Sequence, residues 1–163
     1  EVEGADLLVD NKLLGKVRDV LIHALRNCLD HGIEPPDERE AAGKDPKGRV
    51  RVICGSSDGR LTFEITDDGR GVNLAKVKQK AFKMAYLNEE QMETIDDVGL
   101  VNLLFEPGFS MAEKVTDVSG RGVGMDVMRT TVRELKGDAE FHSEEGQGTR
   151  VYLWIPTDYY QSL

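Results

Sequence analysis

Apolar residues in the first part of the chain recur at helical spacing. Between residues 10 and 31 they return every three or four positions, which places them on one face of an α-helix. The residues of this face are Leu13, Leu14, Val17, Val20, Leu21, Leu25 and Leu29. Gly32, followed by Pro35 and Pro36, predicts the end of the helix. The polar residues 38–47 then predict a short helix that runs into a loop.

The pattern next changes to that of a β-hairpin. Residues 49–55 predict a strand, residues 56–59 its turn and residues 60–66 the partner strand. Asn73 is placed to cap a following helix that runs to about Tyr86.

The second half of the chain combines helices with one further strand pair. Residues 96–105 and 122–136 predict helices, and Gly137 ends the second of them. Residues 139–143 and 150–155 predict two strands around a glycine-rich turn. Together these elements predict an α+β fold, a two-layer sandwich in which a mostly antiparallel sheet packs on helices.

The connection between the last two predicted helices is long. Residues 106–121 contain Pro107, Gly108, Gly120 and several polar side chains. Long connections inside a compact domain are usually lids or binding loops. We therefore predict a mobile lid in this segment.

The composition is that of an ordinary globular domain. Of the 163 residues, 39% are apolar and 31% charged, which is enough for one domain with a sizeable core. The net charge of −9 argues against a nucleic-acid-binding protein, although a single nucleotide needs only a local cationic pocket. The apolar runs are too short to span a bilayer, so no membrane insertion is expected. Because the chain begins at Glu1 without Met and without a secretory signal, we expect residues 1–163 to be one domain of a larger protein.

Two cysteines, Cys28 and Cys54, stand apart from any CxxC pair or His cluster. This spacing does not support a zinc site. Two scattered cysteines favour a reducing, cytoplasmic setting and small, buried, apolar roles for both side chains.

A polar stripe interrupts the apolar pattern of the first helix. His23, Asn27, Asp30 and His31 follow the spacing i, i+4, i+7, i+8, which places them on one helix face. The amide oxygen of Asn27 suits Mg²⁺, which prefers oxygen ligands. The alternative is a solvated helix face with a capping Asp, and this stripe alone does not separate the two interpretations.

The segment Asp67-Asp68-Gly69-Arg70-Gly71 directly follows a predicted strand. A carboxylate at a strand end can accept a hydrogen bond from an exocyclic amine such as that of adenine. Glycines beside it let a flat ring approach the backbone. The alternative is a plain Asp-Gly turn, because DxGxG alone is a weak signal.

Three alternating glycines precede the last predicted helix. Successive backbone N–H groups in such a turn form an anion site, and the helix N-terminus adds partial positive charge. The spacing matches neither a Walker A loop nor a dinucleotide-binding fingerprint. The phosphate-binding candidates are Ser119, Gly120, Arg121, Gly122, Val123 and Gly124. The alternative is a lid hinge that binds no ligand; likewise, GQGT at residues 146–149 is by itself only a hairpin turn.

The order of these motifs resembles that of the GHKL ATP-binding superfamily. The polar helix, DxGxG, the segment FEPGF at residues 105–109, SGRGVGMD and GxGT correspond to its N box, first glycine box, F box, second glycine box and third glycine box. The wording is similar to that of the chemotaxis histidine kinases (the CheA class), which read close to HLIRNAIDHGIE, DDGRG, FxPGFS and SGRGVGMDVV. This chain reads HALRNCLDHGIE, DDGRG, FEPGFS and SGRGVGMDVM. The resemblance covers about residues 10–156.

The resemblance implies that the chain binds ATP and Mg²⁺. Asn27 would hold the metal, Asp67 would bind the adenine amine with help near Gly71 and Thr149, and Phe105 and Phe109 would anchor the lid. The full set of implied nucleotide-binding residues is Arg26, Asn27, Asp30, His31, Asp67, Gly69, Gly71, Lys76, Ser119, Gly120, Arg121, Gly122, Val123, Gly124 and Thr149.

His23 and Asn27 are the implied catalytic residues. Gyrase-type and MutL-type ATPases have Glu four residues before the Asn, where it activates water. His23 at this position favours phosphoryl transfer over hydrolysis, and transfer rests mostly on positioning and charge neutralisation. The alternatives are a degenerate nucleotide-binding or scaffold module without kinase activity, and a GHKL ATPase or anti-sigma-factor kinase.

The resemblance also implies partners that the sequence does not contain. The acceptor His of this class lies on a separate phosphotransfer domain, and His142 is interpreted as structural. A response regulator, a CheW-like adaptor and a receptor array would act through other domains, in a homodimeric full-length kinase, whereas residues 1–163 alone would be monomeric. One departure is Met111 after PGFS, where this class usually has Thr.

Overall fold

The computed structural model describes residues 1–5, 9, 11–109 and 124–157, and these residues form an α+β fold as predicted. Their strands are β1 (Val2–Glu3), β2 (Val50–Ser57), β3 (Arg60–Asp67), β4 (Asp138–Glu144) and β5 (Gly148–Pro156). Their α-helices are α1 (Asn11–Asn27), α2 (Pro36–Ala41), α3 (Leu74–Lys83), α4 (Glu89–Thr94), α5 (Asp97–Leu103) and α6 (Met125–Glu134). A π-helical turn, Cys28–Gly32, continues α1.

The strands form one sheet in the order β1-β2-β3-β5-β4. β1 pairs parallel with β2, and the other pairs are antiparallel, so the sheet is mixed and mostly antiparallel. β3 lies at its centre. The register pairs Asp67, the last residue of β3, with Val50 on one side and Thr149 on the other. Two residues that the sequence separates by 82 positions are thereby neighbours at one end of the sheet.

The main core lies between one face of the sheet and the helices α1 and α6. Its members are at most a few per cent exposed and alternate along β3 and β5, as expected for strands with one buried face. They are Leu13, Val17, Val20, Ala24, Cys28, Leu61, Phe63, Ile65, Phe105, Met128, Val132, Leu135, Ala139, Val151, Leu153 and Ile155. The predicted apolar face of the first helix is confirmed for Leu13, Val17 and Val20, whereas Leu14 and Leu29 are exposed.

A second apolar cluster packs α3 and α5 beside this core. It contains Val77, Ala81, Leu87, Leu100, Leu104 and Phe109. Met125 and Phe141 pack against both clusters and join them. The start of α6 is therefore fixed between the two clusters.

Charged side chains cover aromatic rings on the other face of the sheet. The guanidinium of Arg60 lies 4.3 Å from the ring centroid of Trp154, and that of Arg150 lies 5.5 Å from the centroid of Tyr152. Such stacking lets a sheet face water on one side without a large apolar patch. None of the helices among the described residues combines the length and the apolar character that crossing a membrane requires.

Several predicted boundaries differ from the observed ones. The predicted helix to Tyr86 ends at Lys83, because Ala85 adopts a positive φ of 60°; its predicted cap is confirmed, since Asn73 accepts from the Lys76 N–H at 2.8 Å. The last helix begins at Met125 within the described residues. α4 and β1 were not predicted: β1 is only two residues long, and α4 depends on a capping box at its first turn.

Candidate functional site

A buried carboxylate at the end of β3 is the centre of the candidate site. Asp67 is 7% exposed, and both its oxygens accept hydrogen bonds. The N–H of Gly69 donates to Oδ1 at 2.9 Å, and the hydroxyl of Thr149 donates to Oδ2. A buried carboxylate held by fixed donors presents its remaining lone pairs in one defined direction.

Cys28 also contacts this carboxylate. Burial, reinforced by the negative charge of Asp67 and a hydrogen bond to it, raises the pKa of the Cys28 thiol to about 12. The thiol is therefore protonated at neutral pH and can act as a donor to Asp67. The predicted burial of Cys28 among apolar side chains is confirmed, and its thiol also lies beside Asp67. Cys54 is half-buried, and both cysteines are free.

The π-helical turn brings the end of the first helix against the DxGxG loop. The N–H of Arg70 donates to the carbonyl oxygen of Gly32 at 2.8 Å. A Cβ atom at Gly69 would lie 2.1 Å from that same oxygen, so only glycine permits this approach. Single π-helical turns are frequent at functional sites, and here the turn joins two of the predicted motifs.

The turn between β4 and β5 closes the site from the other side. Gly148 adopts a φ of 114°, and a Cβ atom there would lie 1.9 Å from the carbonyl oxygen of Asp67. The N–H of Gly146 donates to the carbonyl oxygen of Arg70 at 2.7 Å, beside Gly71. The GQGT segment is therefore a hairpin turn, as its sequence indicates, and it also packs directly on the DxGxG loop.

His23 and Asn27 meet on the inner side of α1. The amide Nδ2 of Asn27 donates to Nε2 of His23 at 3.1 Å. Burial lowers the pKa of His23; the charge of Asp126 opposes this, while Arg26 and His31 add to it. The imidazole is therefore neutral at neutral pH, which lets Nε2 act as an acceptor.

The other members of the predicted stripe differ in environment. α-Helical geometry ends at Asn27, so the spacing that placed Asp30 and His31 on the same face does not continue into the π-helical turn. Asp30, His31 and Arg26 are exposed. Arg26 and His31 are close enough to act on the charge of His23, whereas no contact among the described residues joins Asp30 to the site.

The start of α6 approaches the same region. Gly124 lies at the N-cap of α6, and Asp126 in its first turn acts electrostatically on His23. The predicted phosphate-binding residues Ser119, Gly120, Arg121, Gly122 and Val123 lie outside the described residues, as does Met111. Lys76 is exposed in the first turn of α3.

Phe105 and Phe109 are both buried. Of the predicted lid, residues 106–109 are described, and residues 110–121 lie outside the described part of the chain. The guanidinium of Arg129 in α6 lies 4.8 Å from the ring centroid of Phe105. The ring of Phe109 meets Tyr86 edge-on, with centroids 5.4 Å apart. Each ring is thus packed against the body of the domain, as an anchoring role requires.

An ion network that was not predicted from the sequence holds the DxGxG loop in place. Arg39 is 1% exposed and donates to Glu34 Oε2 at 2.9 Å and to Asp68 Oδ2 at 2.9 Å. The ammonium of Lys44 donates to Glu34 Oε1 at 2.8 Å and to the carbonyl oxygen of Gly69 at 2.7 Å. Burial acts to raise the pKa of Glu34, but hydrogen bonds from Lys44 and Arg39 hold it below its ordinary value. In the sequence these residues belong to a polar run that looks like any solvated helix and loop.

The fold is similar to that of a solved histidine kinase domain. The histidine kinase domain of a blue-light activated histidine kinase from Erythrobacter litoralis superposes with a TM-score of 0.54 at 16% sequence identity, covering 99% of this chain and 55% of that one. The fold is therefore that of a histidine kinase ATPase domain.

The family of the chain follows from sequence similarity. The model of the histidine kinase-, DNA gyrase B- and HSP90-like ATPases matches residues 15–159. The chain belongs to this family of ATPases.

Relatives at higher identity include a gliding motility regulatory protein and a chemotaxis protein. The gliding motility regulatory protein of Myxococcus xanthus is 40% identical over 155 residues, which are 95% of this chain and 20% of the relative. The chemotaxis protein CheA of Salmonella typhimurium is 42% identical over 153 residues, 94% of this chain and 22% of the relative. The chain thus spans about a fifth of the length of these relatives.

Proposed function

We propose that this chain is the ATP-binding catalytic module of a two-component histidine kinase of the chemotaxis class. It would transfer the γ-phosphate of ATP to a His on a separate phosphotransfer domain. The observation that carries the proposal is the buried Asp67 carboxylate, held by Gly69 and Thr149 at the junction of three family motifs. Because the chain spans about a fifth of its relatives, the acceptor domain and the dimerisation interface are assigned to the rest of the protein.

The partners follow from the same assignment. We propose that a response regulator takes the phosphoryl group from the acceptor His, and that a CheW-like adaptor and a receptor array control the kinase through other domains. The names of the relatives support an output in chemotaxis or other motility. The two free cysteines support a cytoplasmic setting.

Adenine recognition is assigned to Asp67. Its lone pairs left over after the bonds from Gly69 and Thr149 would accept the exocyclic amine of the base. The absence of side chains at Gly69 and Gly71 lets the backbone of Gly32 and Glu144 pack directly on the loop that carries Asp67, which fixes the position of the carboxylate. A site built to accept a hydrogen bond rejects a base that lacks the donor, because the buried carboxylate is then left without a partner.

Phosphate binding is assigned to residues on the opposite side of the site. Arg26 and His31 carry donors near His23, and Lys76 supplies a further exposed cation. The N-terminus of α6 at Gly124 adds partial positive charge. The same role is proposed for residues 119–123, which precede it in the sequence.

Mg²⁺ fits the chemistry of Asn27. The bond from Nδ2 to His23 leaves the amide oxygen Oδ1 without a donor among the described residues, and amide oxygen is a ligand that Mg²⁺ accepts. The described residues contain no group of three or more His, Cys, Asp and Glu side chains that could hold a metal alone. Protein coordination through a single oxygen, completed by ATP phosphates and water, is the usual arrangement for this ion, and the ion would neutralise charge on the phosphates.

His23 is assigned a positioning role next to the γ-phosphate. Its neutral imidazole holds the Asn27 amide in one orientation, which points Oδ1 away from the ring. Imidazole in place of Glu removes the carboxylate that would activate water, so the geometry favours an incoming histidine acceptor.

Titration calorimetry of ATP tests the proposal on the domain itself. We expect binding in the presence of Mg²⁺ and much weaker binding in EDTA, because the metal joins the phosphates to Asn27. Failure of the folded domain to bind ATP under either condition would favour a scaffold module without kinase activity.

Removing the amide of Asn27 should remove the magnesium dependence. In Asn27→Ala we expect the affinity for ATP with Mg²⁺ to fall toward the value in EDTA, whereas the affinity in EDTA stays within about twofold. Asn27→Asp is the matched control, because it keeps an oxygen ligand and should keep the dependence. Normal magnesium dependence in Asn27→Ala would contradict the metal assignment.

A further inference from the structure

We propose that Lys44, together with Glu34 and Arg39, is a positioning residue for adenine recognition. These side chains form a brace, defined as the ion network of Glu34, Arg39, Lys44 and Asp68, that fixes the loop on which the Asp67 carboxylate depends. The inference rests on the proposed function, since it assigns to Asp67 the role described above.

Lys44 is bonded to the backbone of the loop itself. Its ammonium donates to the carbonyl oxygen of Gly69 at 2.7 Å, to that of Asp68 at 3.0 Å and to Glu34 at 2.8 Å. An ammonium has three N–H donors, so these three acceptors saturate it. Two consecutive carbonyl groups directly after Asp67 are therefore tied to one cation that Glu34 holds in place.

Arg39 holds the side chain of Asp68, the residue that follows Asp67. Its guanidinium donates to Oδ2 of Asp68 at 2.9 Å and to the backbone oxygen of Asp68 at 3.1 Å. The N–H of Arg49 donates to the other carboxylate oxygen, Oδ1, at 2.8 Å. Asp68 is thereby held by both its backbone and its side chain.

A single residue, Gly69, links the brace to Asp67 by hydrogen bonds. Gly69, whose carbonyl oxygen accepts from Lys44, donates its own N–H to Oδ1 of Asp67. A shift of Gly69 would therefore move the donor that aligns the carboxylate, and binding groups must be held within about 0.5 Å of their productive geometry.

The charges of the brace cancel. Lys44 and Arg39 carry two positive charges, and Glu34 and Asp68 carry two negative ones. The brace therefore adds no net charge near the base, and its effect on binding comes from the position of the loop rather than from long-range attraction.

Comparing the affinities for two ligands distinguishes a positioning role of Lys44 from a general loss of structure. Purine riboside triphosphate has the same ring and phosphates as ATP but lacks the exocyclic amine. In Lys44→Met we expect the affinity for ATP to fall by about tenfold, while the affinity for the analogue changes by less than about twofold. A merely structural role would weaken both ligands equally.

Matched variants keep the test interpretable. Lys47→Met removes the same charge from an exposed residue of the same connection and should leave both affinities unchanged. If Lys44→Met fails to fold, Glu34→Gln keeps the size of the side chain, weakens the anchor of Lys44 and should show the same selective loss.

The outcomes distinguish the two proposals. If the wild-type domain prefers ATP to the analogue and Lys44→Met loses both ligands equally, the positioning role is overturned while the adenine site stands. If the wild-type domain binds neither ligand, the proposed function fails, and the inference fails with it. A loss confined to ATP supports both.

Discussion

Asp67→Asn should abolish ATP binding while the domain remains folded. The carboxylate accepts from Gly69 on one oxygen and from Thr149 on the other, and the adenine amine is a third donor. An Asn amide has one oxygen and one NH₂ group, so only one of its two positions can accept. With the NH₂ at the Oδ1 position a donor faces the N–H of Gly69, and with the NH₂ at the Oδ2 position that acceptor is lost to the adenine amine. We expect the dissociation constant for ATP to rise by more than about 100-fold, the scale on which sites reject a mismatched hydrogen-bonding partner.

Calorimetry measures the affinity, and thermal unfolding followed by circular dichroism verifies the fold. Asp19→Asn is the matched control, because this carboxylate is exposed on α1, 75% accessible, and should not affect binding. Unchanged affinity for ATP in folded Asp67→Asn would refute the assignment of adenine to this residue.

Local patterns predicted most of the fold. Apolar spacing predicted α1, hairpin and turn patterns predicted β2 to β5, and α3, α5 and α6 were predicted as helices with different ends. Each of these elements buries one face against the two clusters. The Asn73 cap was predictable because Asn accepts from an N–H three residues ahead. The capping box of α4, with Asn88 and Gln91, is an equally local signal, because both of its hydrogen bonds lie within one turn.

Features that depend on tertiary contacts were not predictable in this way. The change from α- to π-helical geometry at Cys28 has no periodic signature, since it is set by the approach of Gly32 to the DxGxG loop. The two-residue strand β1 is defined by its pairing with Val52 and Ile53, not by any pattern of its own.

In the candidate site, too, some residues were predictable from local motifs and others only from tertiary contacts. Motif order located Asp67, Thr149, Asn27 and His23, which the structure joins by hydrogen bonds into two pairs. Sequence reasoning missed Arg39, because a buried arginine and a solvated one look alike in a polar run. Its burial follows only from the loop that folds over it.

Arg39→Met should destabilise the domain by about 3–5 kcal/mol, the cost of breaking a buried ion pair by removing one partner. The guanidinium is 1% exposed and donates to Glu34, to Asp68 and, at 2.7 Å, to the carbonyl oxygen of Asp45. Methionine fills much of the space but leaves the carboxylate of Glu34, only 9% exposed, without one of its two cations. Urea unfolding of both proteins measures the difference in the free energy of unfolding.

Arg70→Met is the control for the loss of one positive charge. Arg70 pairs with Glu38 at 3.2 Å, but both side chains are more than half exposed, and pairs of this kind contribute about 0–1 kcal/mol. Equal stability changes in the two variants would contradict the role of burial.

The pH dependence of the free energy of unfolding tests the same ion network. The network holds the pKa of Glu34 below its ordinary value, so the stability that it contributes is fully present above the unfolded pKa of about 4.3. That contribution is lost as the pH falls through the lowered folded pKa, and the difference between wild type and Arg39→Met should narrow in the same acid range, because protonated Glu34 no longer needs its cation.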